Sequence, residues 1–305
     1  MNLKSKLTLL SLVLLAACFP KEEGIEPKPR LNKSVEISAG ESKLEVSFYS
    51  IETDSLLATA SPVDWDIYYD ENGLKLNGFR SMSAAIFTTD WANQTDTLGL
   101  DFKYLTVGFE KSMWELKPDT TYVLDMGIDL NYQPLGFYKF KFTKTGGDYT
   151  LYFSKLDEGS WNLKSLNSNE AYYSFLNSSS MDLPLEEDYD LAFGKYTDYV
   201  IFPDEEADYL VFGAITGNAS AYELEENFDD VDDSVIDTIT FNHQIKTGIG
   251  WNWKWYDLNA GAYAVRENRT FIIKTAQGLY YKLRFTSFYN TKGISGHPTF
   301  EYKLL

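Results

Sequence analysis

Three features of the 305-residue sequence predict an all-β fold of antiparallel sheets: a high aromatic content, apolar positions that alternate, and glycine-bearing pairs between the alternating runs. Aromatic residues make up 16% of the chain, with 22 Tyr, 20 Phe and 7 Trp, and such side chains favour pleated, half-buried backbone. The alternation is clearest where Leu279, Tyr281, Leu283 and Phe285 fall on one face and Tyr280, Lys282, Arg284 and Thr286 on the other. Comparable runs lie at 43–49, 122–124, 136–142, 150–153, 199–202, 209–215, 236–241, 270–274 and 299–304. Between them stand Glu71-Asn72-Gly73, Asn77-Gly78, Gly146-Gly147, Gln277-Gly278 and Lys292-Gly293, which supply the backbone freedom that tight hairpins need. No stretch has the period of a long amphipathic helix.

Blocks of sequence recur in order. Tyr138-Lys139-Phe140-Lys141-Phe142-Thr143 has the pattern of Tyr281-Lys282-Leu283-Arg284-Phe285-Thr286, and each precedes a glycine turn and a closing strand at 150–153 or 299–302. Upstream, 121–124 answers 270–273, Trp65-Asp66-Ile67 answers Tyr189-Asp190-Leu191, and Ala85-Ile86 answers Ala214-Ile215. The expected organisation is two related β units in tandem, 31–155 and 156–305, packed as sandwiches. A single all-β domain without duplication is the alternative.

The first thirty residues have a different composition. Lys4 and Lys6 precede an apolar run from Leu7 to Ala17 that is too short to span a bilayer, so 1–17 reads as a cleavable signal peptide. Leu15-Ala16-Ala17-Cys18 matches the lipobox of bacterial lipoproteins, which makes Cys18 the expected site of lipidation. Cys18 is also the only cysteine, so no intramolecular disulfide supports the fold. Residues 18–30 read as a lipidated tether, with two prolines between Gly24 and Arg30, and Lys21-Glu22-Glu23 resembles the surface-export signal of Bacteroidota lipoproteins, which implies display on the exterior of an outer membrane. The net charge of −18 argues against nucleic acid as a partner, because binding phosphate requires the opposite sign.

The blocks Asp188-Tyr189-Asp190-Leu191-Ala192-Phe193, Gly250-Trp251-Asn252-Trp253-Lys254, Asn268-Arg269-Thr270-Phe271-Ile272-Ile273-Lys274, 279–286 and Pro298-Thr299-Phe300-Glu301-Tyr302 together resemble the HmuY-like haem-binding lipoproteins of Bacteroidota. Val63-Asp64-Trp65-Asp66-Ile67 through Ala85-Ile86-Phe87 looks like the opening block of the same family. The resemblance implies an all-β surface lipoprotein that captures haem for iron acquisition and passes it to a TonB-dependent outer-membrane receptor. It implies His or Met as the axial iron ligands, and here this sequence departs from the pattern. Only His243 and His297 are present, and His297 is expected in the turn before the terminal strand, where the family has no ligand. The segment before Asn268-Arg269 offers Tyr256 as its donor; tyrosinate can hold ferric haem, although a structural tyrosine is the commoner role. His243, in the polar setting Asn242-His243-Gln244, suits either a pocket or the surface.

Alternation over 251–256 places Trp251, Trp253 and Trp255 on one face, where they either stack on a flat ligand or anchor the core. The haem-contacting candidates are therefore His243, Tyr256, Trp253 and Trp255, with no metal site formed by protein side chains alone. Two histidines and one cysteine cannot assemble the usual zinc sites, and no hydrolase or nucleotide-binding motif occurs. The acidic stretch 225–233 lacks the spacing of an EF-hand and reads as a solvated loop. The expected function is ligand capture without catalysis. A surface glycan-binding protein and an adhesion or scaffold module are the alternatives.

Overall fold

A computed structural model describes residues 31–40, 42–70, 73–104, 116–166, 171–201 and 206–305. Cys18, the signal peptide and the tether lie outside the described residues. The chain is nearly all β, as the alternation and turn signals predict, and every strand pair described is antiparallel.

Four large sheets form two lobes. In the first lobe, a six-stranded sheet runs in the order Asn162–Leu166, Asp148–Lys155, Phe137–Thr145, Tyr122–Asp125, Ser83–Ile86, Lys103–Tyr104. Its companion is a four-stranded sheet of Ser179–Met181, Tyr172–Ser174, Ile67–Asp70 and Gly73–Leu76. In the second lobe, Lys33–Glu36, Ser295–Leu304, Tyr280–Tyr289, Thr270–Lys274 and Ser220–Leu224 form a five-stranded sheet. Ser55–Ala60, Val46–Ser50, Leu191–Ile201 and Glu206–Thr216 form its four-stranded companion, and a separate hairpin joins Lys254–Asp257 to Ala262–Val265. Each lobe buries its own apolar cluster, one around Phe140, Phe142, Leu151 and Phe175, the other around Phe193, Trp253, Phe285 and Phe300. A third cluster contains Trp65, Phe79 and Tyr172 from one lobe with Phe48, Tyr189 and Tyr196 from the other.

Strand pairing crosses the expected division at 155/156. The three strands within 33–60 hydrogen-bond into the second lobe, while Asn162–Leu166, Tyr172–Ser174 and Ser179–Met181 hydrogen-bond into the first. The two exchanges match in register: Tyr49 lies opposite Leu191 and Tyr173 opposite Ile67, with both pairs of counterparts 124 residues apart. Asp190 accepts from the backbone N–H of Ile51 and Glu52, and Asp66 accepts from the backbone N–H of Phe175 and Leu176, at the same spacing. The counterpart of Ser83-Ala84 is Ser220-Ala221, paired alike onto the neighbouring strand. The expected partner of Ala85-Ile86, Ala214-Ile215, instead lies in the hairpin beside Leu191–Ile201.

Two local expectations are corrected. Residues 236–241 do not form a strand, because Asp233–Thr238 is a 3₁₀ helix. The Asp232 carboxylate accepts from Ser234 N and the Thr238 hydroxyl donates to Val235 O, local bonds that compete with extended pairing. Lys282 is on the outward-facing register of its strand yet is buried, with Nζ donating to Phe228 O at 2.6 Å and Val231 O at 2.7 Å. Lys139 is its counterpart, donating to Trp91 O at 2.8 Å and Glu158 O at 2.5 Å. Alternation cannot reveal these burials, because loops from elsewhere in the chain cover the outer face.

Candidate functional site

The hairpin Lys254–Asp257/Ala262–Val265 and the far end of strand Tyr280–Tyr289 enclose a groove of about 800 Å³ in the second lobe. Tyr263 and Tyr289 supply its more open aromatic lining, with the buried Phe285 and Phe288 behind them, and Asp229, Asp230, Glu267 and Arg284 its charged rim. Tyr263 N donates to the Tyr289 hydroxyl at 2.6 Å, which ties the hairpin to the strand end. The rings then continue outward, Phe288 to Tyr263 at 5.1 Å and Tyr263 to Tyr256 at 5.1 Å, both edge-on.

The tryptophans do not share a face as alternation over 251–256 predicts. Residues 251–253 form a turn and the strand begins only at Lys254. Trp253 is buried and stacks on Phe285 with centroids 3.9 Å apart and 12° between planes, so it anchors the core beneath the groove. Trp255 and Tyr256 are about half exposed, and as successive strand residues they project to opposite sides of the hairpin.

The structure does not bring His243 and Tyr256 together. His243 lies beside Ser220, which pairs with Lys274 and through it with Tyr280, and Phe241 packs on the Tyr280 ring at 5.8 Å. Tyr256 packs at the Tyr289 end. Ten residues of strand, at roughly 3.3 Å each, hold the two ends about 30 Å apart, too far for both side chains to reach one iron. His243 is exposed at the surface, where partial desolvation of its ring and the Lys246 ammonium push its pKa below the usual histidine value. His297 falls inside strand Ser295–Leu304, not in the turn before it, with Nδ1 3.8 Å from a Glu36 carboxylate oxygen. Among the described residues no group of three or more His, Cys, Asp or Glu could hold a metal ion; the oxygen donors that line the groove are the carboxylates of Asp229, Asp230 and Glu267 and the hydroxyls of Tyr263 and Tyr289, with Thr286 and Ser287.

Sequence reasoning missed Lys254. It is buried behind the hairpin, donating to Phe212 O at 2.5 Å and Trp251 O at 3.3 Å. The rings of Trp253, Phe288, Phe212 and Tyr263 surround the ammonium, with centroids 4.5, 4.9, 5.6 and 5.8 Å from Nζ. Burial lowers its pKa to about 7, and no ion pair of its own is described. The signal available in the sequence was a lysine between two tryptophan-containing dipeptides, which alternation assigns to solvent.

The pattern described as HmuY protein matches residues 42–302. The chain belongs to the HmuY family. Among solved structures it is similar to the apo HmuY analog of Tannerella forsythia, at 12% identity over 92% of this chain and 98% of the other, with a TM-score of 0.35. It is also similar to apo PinO from Porphyromonas gingivitis, at 10% identity over 90% of this chain and 98% of the other, again with a TM-score of 0.35. No curated protein sequence matches it.

Proposed function

We propose that this HmuY-family chain is a lipid-anchored, non-catalytic protein that captures haem or a related tetrapyrrole at the cell surface for a TonB-dependent receptor. The observation that carries the reading is the groove at the Tyr289 end, with a volume in the range of small-molecule sites and a lining of Tyr263, Phe285, Phe288 and Tyr289. Aromatic walls suit a flat macrocycle, and a tyrosine oxygen is an accepted ligand for ferric haem. Tyr256, Tyr263 and Tyr289 are the residues that would hold it, with Trp255 flanking the hairpin. His243 sits at the opposite end of the sheet and Trp253 supports the groove from below, so neither enters this site.

The rim adds a constraint on orientation. Asp229, Asp230 and Glu267 repel carboxylates, and Arg284 already pairs with Glu301 at 2.8 Å. Haem propionates would therefore point outward to solvent. Bound haem would supply the iron and the extended π-face, while the chain's residues orient it and exclude water. Titration of the lipid-free body, residues 31–305, with hemin tests the reading. A saturable Soret band with quenched tryptophan fluorescence is expected; a spectrum equal to the sum of free hemin and protein would refute haem capture.

A further inference from the structure

We propose that the corner formed by Trp91, Tyr152 and Trp161 on the first lobe binds a neutral carbohydrate, independently of the groove on the second lobe. Trp161 is 54% exposed where the chain enters the edge strand Asn162–Leu166, and Leu163, two residues on and on the same face, is also exposed. The Trp91 ring meets Trp161 at 5.6 Å and 79°, and Tyr152 meets it at 6.0 Å and 86°. One indole thus stands open with two other rings set at right angles to it. A porphyrin requires a long flat slot, whereas a sugar ring lays one C–H face on a single indole and turns its hydroxyls to the sides.

The surroundings fit hydroxyl groups. Exposed Asp157, Glu158, Asn93 and Asn162 in the segments that carry these rings offer carboxylate and amide partners, while Lys141, opposite Tyr152 on the neighbouring strand, is drawn to Asp119 at 3.6 Å. With a net charge of −18 on the chain, an anionic polymer is disfavoured and a neutral one is not. The corner is also held in place before any ligand arrives. Trp91 Nε1 donates to Ser154 Oγ at 3.1 Å, and buried Lys139 binds the carbonyls of both Trp91 and Glu158 while lying 5.7 Å from the Trp91 ring centroid. Such fixation removes part of the ordering cost of binding.

The position is matched in the second lobe. Phe228 follows Trp91 by 137 residues, as Ser220 follows Ser83, and it lies 4.5 Å from Lys282 as Trp91 lies over Lys139. Asp229 and Asp230, next to Phe228, line the groove already described. The same place in the two lobes therefore borders a carboxylate-rimmed groove in one and an aromatic corner in the other.

The test is native gel electrophoresis of the 31–305 body through gels containing neutral mannan, neutral β-glucan or galactomannan, with polygalacturonate as the anionic control. Retardation by at least one neutral glycan is expected, none by polygalacturonate, and Trp161→Ala should weaken the interaction by at least about tenfold. Trp161→Phe should retain part of it. Near-ultraviolet circular dichroism and the hemin titration of Trp161→Ala should match the parent, which separates this site from the groove. Mobility unchanged in every neutral gel, or retardation undiminished in Trp161→Ala, would overturn the proposal. So would concentration-dependent self-association that Trp161→Ala abolishes without any glycan retardation, since the corner would then be a contact between copies.

Discussion

The two lobes bury matching lysines but compensate matching aspartates differently. Lys139 and Lys282 each lie across from an aliphatic residue of the adjacent strand, Val123 and Ile272, and each binds two loop carbonyls. Asp66 and Asp190 each receive two backbone N–H groups from the turn that follows an exchanged strand, but Asp66 also forms a fully buried ion pair with Arg80, whereas Asp190, among the described residues, adds the Ser50 hydroxyl and no cation. The second lobe also has the Lys254 hairpin and its groove. Fastening loops to a sheet is thus solved once and used in both lobes, while charge and aromatic exposure differ where ligands can reach.

The largest expected effect breaks the aspartate comparison. Arg80→Met leaves the Asp66 carboxylate buried without its cation and should cost about 3–5 kcal/mol in urea unfolding. Asp66→Asn should be comparably harmful because it strands Arg80, whereas Asp190→Asn should cost about 1 kcal/mol or less, since the amide oxygen still accepts the N–H groups. Equal losses at the two aspartates would show that the ion pair is not what distinguishes the lobes.

Next in size, Lys282→Met should cost about 1–3 kcal/mol because it leaves two buried carbonyls without their donor, and Lys139→Met about 1 kcal/mol because its two carbonyls are only partly buried. Hydrogen exchange should localise the loosening to residues 228–231 in the first variant and to residues around Trp91 and Glu158 in the second. Exchange spreading over the whole lobe would contradict a local fastening role.

Lys254 gives the second lobe a pH signature. Its folded pKa is about 7 against an ordinary value of 10.5, so between these limits the unfolded state binds more protons and stability rises with pH. Below pH 7 both states carry the proton and the contribution is flat. The slope should approach about 1.4 kcal/mol per pH unit in the middle of the window, and Lys254→Met should remove it. An unchanged pH profile in that variant would rule out titration of this amine. The smallest stability effect is expected at Trp255→Ala, within about 0.5 kcal/mol, because the side chain is half exposed.

The all-β class and several turns were legible because period-2 alternation and glycine pairs act locally. Gly146-Gly147 does link Thr145 to Asp148, with Gly146 at φ 63°. Recurrence of the Tyr138 block at Tyr281 also pointed to matched strands. The exchange of three strands was not legible, because pairing partners such as Tyr49 and Leu191 or Ile67 and Tyr173, more than a hundred residues apart, leave no local trace. Of the site residues read from the sequence, Tyr256 packs on the groove-lining Tyr263, whereas Trp253 is core because the chain turns at 251–253, a bend that alternation counting assumes away. Tyr263, Phe288 and Tyr289 were passed over because nothing in the sequence shows that the 262–265 strand folds back onto the end of 280–289.

The placement of the ligand at the Tyr289 end of the second lobe is tested most directly by comparing hemin spectra of Tyr256→Phe and His243→Ala. With about 30 Å of strand between those side chains, only one can neighbour the bound macrocycle. The Soret band should shift or weaken in Tyr256→Phe and stay unchanged in His243→Ala. A spectrum altered by His243→Ala and untouched by Tyr256→Phe would place the ligand at the other end of the sheet and contradict the assignment.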